Sequence, residues 1–148
     1  MKQQLEEIYN FYKVPKLFYT SGQPTEKQLI LLANNGYEVI INLAKICVVG
    51  SVVIDERKIL ESRKVKYIHI PVDFDNPNQL NFNEFVYNIE KFENKKIWVH
   101  CAANMRVSAF VYKYRRDILE LDHNKIFSDM KVIWNPNDVW KSFLGLRK

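Results

Sequence analysis

A short apolar segment leads directly into a loop that carries a cysteine, an arginine and a serine. Residues 97–99 read Ile-Trp-Val, residues 100–108 read His-Cys-Ala-Ala-Asn-Met-Arg-Val-Ser, and a helix-compatible segment follows. A strand, a tight loop and a helix N-terminus in this order direct backbone N–H groups at an anion. The same field favours the thiolate of Cys101, and the planar fork of Arg106 suits phosphate oxygens. The segment therefore predicts a nucleophilic cysteine in an anion-binding loop.

Strand and helix patterns alternate along the rest of the chain. Strands are predicted at about 17–20, 38–44, 65–72 and 97–100, and helices at about 1–12, 25–35, 55–64, 82–92 and 105–120, with two shorter helices after them. Thr25 and Gln28 have capping-box spacing, and Asn135 is the expected cap of the last helix. The alternation predicts one α/β domain over residues 1–148. A mostly parallel central sheet of four or five strands would be flanked by helices on both faces, with Cys101 at the strand end where ligands bind.

The composition excludes several other classes of protein. Hydrophobic residues make up 47% of the chain and charged residues 26%, which indicates a globular rather than a disordered protein. The net charge of +5 suits an anionic substrate. The basic residues occur in short scattered runs, including Arg63-Lys64, Lys95-Lys96 and Arg115-Arg116, which are typical of solvated faces, so no nucleic-acid partner is expected.

The two cysteines are too few for a disulfide framework and indicate a reducing compartment. Cys47 lies in an apolar run and is expected to be buried. No stretch is long enough to cross a bilayer, and residues 1–7 lack the apolar core of a signal peptide, so we expect a cytoplasmic protein without a membrane partner. His69 and His123 have no second ligand at metal-binding spacing, and neither a metal nor another cofactor is expected.

Three segments resemble the cysteine-based protein phosphatase superfamily in its compact dual-specificity-like branch. They are the loop at 100–108, the Ser-Gly-Gln-Pro segment at 21–24, and the run Ile-Pro-Val-Asp-Phe-Asp-Asn-Pro at 70–77. More closely, they resemble a bacterial branch of phosphatase-like proteins formerly known as a domain of unknown function. The resemblance covers residues 17–115 and implies a cysteine-dependent phosphomonoester hydrolase of the tyrosine or dual-specificity type.

The loop departs from the superfamily pattern, in which five residues separate the cysteine from the arginine. Here four residues separate Cys101 from Arg106, and Val107 occupies the usual arginine position, while Ser108 keeps its offset from the cysteine. One residue corresponds to a turn of about 100° at a helix start. Either Arg106 reaches the anion by another route, or the loop is tighter than the usual one. Asn104 replaces the usual glycine and tolerates a left-handed backbone.

The resemblance assigns roles to the residues of the loop. Cys101 would form a thiophosphate intermediate, and Arg106 would bind the phosphoryl oxygens. Ser108 either donates to the leaving thiolate or caps the helix, and His100 orients the loop or packs behind it. The expected phosphate-binding residues are Ala102, Ala103, Asn104, Met105, Arg106 and Val107.

The general acid is expected in the segment 73–75. The family's aspartate column falls on Phe74, between Asp73 and Asp75. Asp73 ranks first because it lies in the Pro-Val-Asp pattern of the closer branch, and Asp75 ranks second, although either could simply cap a turn. Ser21, Gly22 and Gln23 could line the mouth of the site. Trp134 and Trp140 could flank an aromatic substrate, but core packing is favoured for both.

Two alternatives remain open at this point. Rhodanese-like sulfurtransferases hold a persulfide in a shorter cysteine loop, which the four-residue spacing fits. A pseudophosphatase would bind a phosphorylated partner without turnover. For the favoured hydrolase, the expected partner is a phosphorylated protein or a small phosphate ester.

Overall fold

The computed structural model describes residues 2–146, with side chains from residue 4 onward. Its helices are α1 (Lys2–Glu6), α2 (Glu26–Asn34), α3 (Glu56–Glu61), α4 (Gln79–Lys91), α5 (Met105–Asp117), α6 (His123–Ile133) and α7 (Asp138–Leu144). Its strands are β1 (Tyr12–Lys13), β2 (Tyr19–Ser21), β3 (Val39–Asn42), β4 (Val48–Val49), β5 (Val52–Val53), β6 (Lys66–His69) and β7 (Ile97–His100).

The main sheet has the strand order β1-β2-β7-β3-β6 and is parallel except for β1. Strand β7 is central, and His100 at its end is in register with Ser21 of β2 and Asn42 of β3. The carboxyl ends of three parallel strands therefore meet at one edge of the sheet, where Cys101 follows β7. Ligands bind at this edge in open α/β sheets.

Helices cover both faces of the sheet. One hydrophobic cluster packs α4, α5, α6 and α7 against β3 and β7, and it includes Phe85, Phe110 and Trp140. The second packs α1, α2 and α3 against the other face around Trp98. The predicted α/β fold with a mostly parallel sheet is confirmed. Within the described part of the chain, no helix combines the length and hydropathy needed to cross a membrane.

Local signals placed several element boundaries correctly. Thr25 and Gln28 form the predicted capping box at the start of α2, and Gly36 adopts φ +84° just after the end of that helix. Strand β7 has the predicted bounds. The last helix, in contrast, is capped by Asn137, whose side chain accepts a hydrogen bond from the N–H of Trp140 at 3.0 Å, and not by Asn135.

Two regions differ from the prediction. The helix expected over residues 1–12 covers only Lys2–Glu6, and Met1 lies outside the described residues. At the end of the expected range, Tyr12 and Lys13 instead form a strand that pairs antiparallel with β2. Strands β4 and β5 form a separate hairpin around Gly50, in a stretch for which no element was predicted. Both differences arise from strand pairing, which a local pattern does not reveal.

Candidate active site

The loop after β7 leaves a row of backbone donors free. Within residues 2–146, no acceptor is found for the backbone N–H groups from Ala102 to Val107, and the N–H of Ser108 is the first that bonds inside the helix, to the carbonyl of Asn104. These six N–H groups follow Cys101 directly, and Cys101 itself is fully buried. Consecutive free N–H groups at a helix N-terminus form an anion-binding cradle. The loop can therefore hold an anion beside the cysteine sulfur.

Asn104 is the turning point of the loop. It adopts a left-handed conformation, with φ 65° and ψ 5°, and it is fully buried. Its side-chain amide donates to the carbonyl of Asn10 at 2.8 Å and to the hydroxyl of Thr20 at 3.0 Å, while Asn10 donates in turn to the carbonyl of Ala103 at 3.0 Å. These bonds hold the loop against the residues before β1 and against β2, so that a strained backbone persists without glycine.

The segment 21–23 supports the loop from its interior side. The N–H of Cys101 donates to the carbonyl of Ser21 at 3.4 Å, and the N–H of Gln23 donates to the carbonyl of Ala102 at 2.9 Å. A Cβ at Gly22 would lie 2.7 Å from that same carbonyl oxygen. Ser21 and Gly22 are buried, and Gln23 is half-buried. Glycine is required here because the two backbones touch.

Glu56 is a site residue that sequence reasoning missed. It is the first residue of α3 and lies 44 positions before His100, yet its carboxylate meets the His100 ring at 2.8 Å with both side chains fully buried. Gln23 donates to the other carboxylate oxygen of Glu56 at 2.5 Å. The second ring nitrogen of His100 lies 3.2 Å from the carbonyl oxygen of Cys101. A buried chain of hydrogen bonds thus connects α3 to the backbone of Cys101.

The charge state of Glu56 follows from these contacts. Burial alone would raise its pKa, but the charge and hydrogen bond of His100, followed by the hydrogen bond from Gln23, outweigh burial and lower it. Cys47 lies in the same region and is buried as predicted, with its sulfur accepting a hydrogen bond from Asn42 at 3.0 Å. Burial and the nearby Glu56 raise the pKa of Cys47 to about 12, so this thiol stays protonated.

Arg106 bridges the loop to the segment that carries the candidate acids. One guanidinium nitrogen donates to the carbonyl of Val72 at 3.0 Å, and the guanidinium carbon lies 5.8 Å from the centre of the Phe74 ring. Val107, in the usual arginine position, is fully buried in the core. The shift of the arginine by one residue therefore directs its side chain toward the segment 72–74 and not into the core.

The two candidate acids have different surroundings. One carboxylate oxygen of Asp73 accepts the backbone N–H of Asp75 at 2.9 Å, and the other lies 3.4 Å from Lys45. The hydrogen bond from Asp75, then Lys45 and the charge of Arg106, lower the pKa of Asp73. Asp75 is exposed. The contact between Asp73 and the N–H of Asp75 is the turn-capping role that the sequence left open.

Phe74 anchors this segment to the body of the protein. Its carbonyl accepts a hydrogen bond from the indole N–H of Trp140 at 2.8 Å, and its ring packs against Trp134 and Trp140. Trp140 is fully buried and serves as a core residue, as the prediction favoured. Trp134 is half-buried, and its indole nitrogen is buried without a partner in the described structure.

The hydroxyl of Ser108 makes its hydrogen bond within its own helix. Its hydroxyl donates to the carbonyl of Met105 at 2.9 Å, within the first turn of α5. Among the described residues, no hydrogen bond joins it to Cys101. Nor do residues 4–146 contain a cluster of three His, Cys, Asp or Glu side chains that could hold a metal ion.

Comparison with known protein families identifies a match over most of the chain. Residues 5–133 match the family described as "DSP-PTPase phosphatase fused to NAD+ Kinase". The search of curated proteins found no match to the chain.

Several solved structures share the fold. A DUF442 protein from Shewanella putrefaciens CN-32 is 28% identical with a TM-score of 0.80, over 98% of this chain and 95% of that chain. TpbA of P. aeruginosa, bound to phosphotyrosine, is 18% identical with a TM-score of 0.66, over 82% of this chain and 72% of its own. The PP-IP phosphatase SIW14 of S. cerevisiae is 15% identical with a TM-score of 0.74, over 95% and 86%.

Proposed function

We propose that this chain, which belongs to the family of dual-specificity-type phosphatases described as fused to NAD+ kinase, hydrolyses phosphomonoesters through Cys101. The observation that carries the proposal is the row of free N–H groups from Ala102 to Val107 beside the buried cysteine. Charge-assisted hydrogen bonds from several such donors hold a phosphoryl group and stabilise the charge that builds up on its oxygens. Cys101 directly precedes this row of donors, and in the proposed reaction its sulfur attacks the phosphorus of the bound phosphoryl group.

The reaction proceeds in two displacements. The Cys101 thiolate attacks phosphorus, an S–P bond forms, and the ester P–O bond breaks, while a carboxylic acid gives its proton to the departing oxygen. Water then attacks the thiophosphate and gives a proton to the carboxylate, the S–P bond breaks to return the Cys101 thiolate, and inorganic phosphate leaves. Asp73 is the first candidate for the acid and Asp75 the second.

Arg106 supplies positive charge by a different route from the usual arginine. Its guanidinium has five N–H donors, and one of them reaches the carbonyl of Val72. The remaining donors can bind phosphoryl oxygens while this contact persists, which would draw the segment 72–75 toward the substrate. Binding of the phosphoryl group and placement of the acid would then be coupled through one side chain.

The cradle indicates that the substrate carries a phosphoryl group. TpbA was solved with phosphotyrosine and SIW14 is described as a PP-IP phosphatase, so proteins of this fold are linked to quite different phosphorylated compounds. We therefore assign a phosphorylated protein or a small phosphate ester as substrate. Residues 1–148 act as one phosphatase domain, and a reducing cytoplasmic environment suits a catalytic thiol.

Hydrolysis of an aryl phosphate by the wild-type protein and by Cys101→Ser, under reducing conditions at mildly acidic to neutral pH, tests the proposal. We expect turnover by the wild type that vanadate inhibits and the variant lacks. Equal turnover by both proteins would show that the cysteine is not the nucleophile. No turnover by either would contradict the proposal, and uptake of sulfane sulfur from thiosulfate onto Cys101 would then support sulfur transfer.

A further inference from the structure

A cleft of about 640 Å³ opens at the end of the sheet opposite Cys101. It is lined by the turn between β1 and β2, by residues between α2 and β3, and by the first residues of β7. Strand β7 begins at Ile97 inside this cleft and ends next to the nucleophile, so the cleft and the cysteine loop lie at opposite ends of one strand. A volume of this size is in the range of small-molecule sites.

Four lysines from two distant parts of the sequence line the cleft. Lys13 is the last residue of β1, Lys16 lies in the β1–β2 turn, and Lys95 and Lys96 lead into β7. In the sequence, Lys95-Lys96 resembles an ordinary solvated pair of charges. The fold brings this pair to the same cleft as Lys13 and Lys16, so the four lysines form one cluster.

Acidic groups do little to neutralise this cluster. Among the described residues that line the cleft, none is acidic. The carboxylate of Glu38 lies 3.6 Å from Lys95, and between residues 4 and 146 the other three lysines form no ion pair. Lys96 donates to the carbonyl of Asn35 at 2.8 Å, so even this amine keeps two N–H donors for a ligand.

The wall below the lysines is apolar and aromatic. Val14, Leu17 and Phe18 come from the same turn that carries Lys16, and Leu17 remains 38% exposed. Lys13 and Lys96 lie over the rings of Tyr19 and Tyr37, at 5.6 and 4.5 Å from the ring centres. The cleft thus combines an apolar surface with several cations at its rim, and a ligand that satisfies both would need an apolar body and more than one negative charge.

We propose that this cleft binds a nucleoside polyphosphate, with its phosphates on the four lysines and its base against the apolar wall. Lysine serves as a point-charge binder of phosphate, and several lysines call for several phosphates. A flat base gains stacking and burial against aromatic and aliphatic side chains. The site uses no residue of the cysteine loop, so it stands whether or not the protein is a phosphatase.

Calorimetric titration of the Cys101→Ser protein tests the proposal, because loss of the thiol prevents attack on the probe at the cysteine loop. The probes are ATP in EDTA, inorganic tripolyphosphate and adenosine. We expect saturable binding of ATP, binding of tripolyphosphate that is about tenfold weaker, and no binding of adenosine. Absence of ATP binding, or equal affinity for ATP and tripolyphosphate, would overturn the proposal.

Matched lysine variants locate the site. Lys13→Gln/Lys95→Gln should weaken ATP binding about tenfold or more, because two charge-assisted contacts are lost. Lys27→Gln/Lys58→Gln changes the net charge equally at two exposed lysines outside the cleft and should keep the affinity. Thermal unfolding without ligand checks that each variant is folded. If Arg106→Gln abolishes ATP binding while the cleft double variant retains it, ATP occupies the cysteine loop and the proposal is wrong.

Discussion

Glu56 and His100 form a fully buried pair, with 2.8 Å between a carboxylate oxygen and a ring nitrogen, directly behind the cysteine loop. The other ring nitrogen faces the carbonyl of Cys101, so the imidazole lies between the Glu56 carboxylate and the backbone of the cysteine loop. The pair therefore connects α3 to the backbone of Cys101. In the proposed reaction it would position the cysteine loop without touching the substrate.

Replacement of Glu56 should destabilise the protein strongly. Glu56→Ala leaves His100 buried without its partner, and we expect a loss of about 3–5 kcal/mol in the free energy of unfolding. Glu56→Gln offers one acceptor oxygen to the two donors from His100 and Gln23, and it should cost about 1–3 kcal/mol. Urea unfolding at pH 7 measures both, and Glu61→Gln, at an exposed ion pair with Arg57, should cost less than about 1 kcal/mol.

The contribution of Glu56 should also depend on pH. Because its pKa is lowered in the folded protein, the stability it supplies is complete above the unfolded pKa of about 4.3 and is lost as the pH falls through the folded value. The stability difference between wild type and Glu56→Gln should therefore be constant near neutrality and narrow in acid. A difference that stays the same at pH 4 and below would contradict this account.

Gly22 tests whether the loop requires close backbone contact. In Gly22→Ala the new Cβ would meet the carbonyl oxygen of Ala102 at 2.7 Å and the ring of Tyr9 at 2.6 Å, so the loop must shift. We expect kcat/KM for an aryl phosphate to fall at least about tenfold, with a loss of about 1–3 kcal/mol in stability. Gly36→Ala, where the Cβ meets nothing but φ is +84°, should cost about 1 kcal/mol and leave kcat/KM unchanged. Equal kcat/KM for the two variants would argue against the contact.

Asn104 separates the effect of backbone strain from that of hydrogen bonding. Both Asn104→Gly and Asn104→Ala lose the side-chain bonds to Asn10 and Thr20, but only glycine adopts φ 65° without steric cost. The alanine variant should therefore be less stable than the glycine variant by about 1–2 kcal/mol, and it should lose more activity. Chemical unfolding of the two proteins measures this difference. Equal stability would mean that the left-handed backbone is not needed.

The dependence of the hydrolysis rate on the leaving group tests whether Asp73 is the general acid. If Asp73 supplies the proton, Asp73→Asn should slow hydrolysis of alkyl phosphates much more than that of activated aryl phosphates, and Asp75→Asn should have little effect on either. Steady-state kinetics on both substrate types checks this. An equal loss on both substrates would remove Asp73 from the role, and the reverse pattern would assign it to Asp75.

The pH profile gives a second test of the same acid. The hydrogen bond from Asp75, together with Lys45 and Arg106, lowers the pKa of Asp73, so the protonated form that can donate is favoured only as the pH falls. Activity on alkyl phosphates should therefore decline from acidic toward neutral pH. Lys45→Gln removes one of the causes and should move this decline to higher pH, whereas the profile of Asp73→Asn should no longer respond to Lys45→Gln.

Local signals in the sequence were sufficient for much of the fold. Thr25 and Gln28 predicted a capping box because both partners lie within one helical turn, and the apolar run at 97–100 predicted β7 with its observed bounds. The hairpin of β4 and β5 and the antiparallel strand β1 were missed. Each consists of two-residue strands whose identity depends on a partner strand, so no periodicity could develop.

The same difference between local signals and long-range contacts applies to the candidate active site. The loop from Cys101 to Ser108 is one continuous segment, so its residues could be assigned to one predicted anion-binding loop from the sequence alone, and the structure leaves the N–H groups from Ala102 to Val107 free. Glu56 lies in a run of charged residues that looks like a solvated helix face, and only folding brings it to His100. The contact of Arg106 with the carbonyl of Val72 was equally hidden, because it joins residues 34 positions apart.

A rapid acid quench of the reaction with an aryl phosphate, followed by intact and peptide mass measurement, tests the central claim most directly. The account predicts one added phosphoryl group on Cys101 in the wild type, formed and lost on the timescale of turnover, and none in Cys101→Ser. Turnover with no adduct on Cys101, or an adduct on another residue that persists in Cys101→Ser, would contradict it.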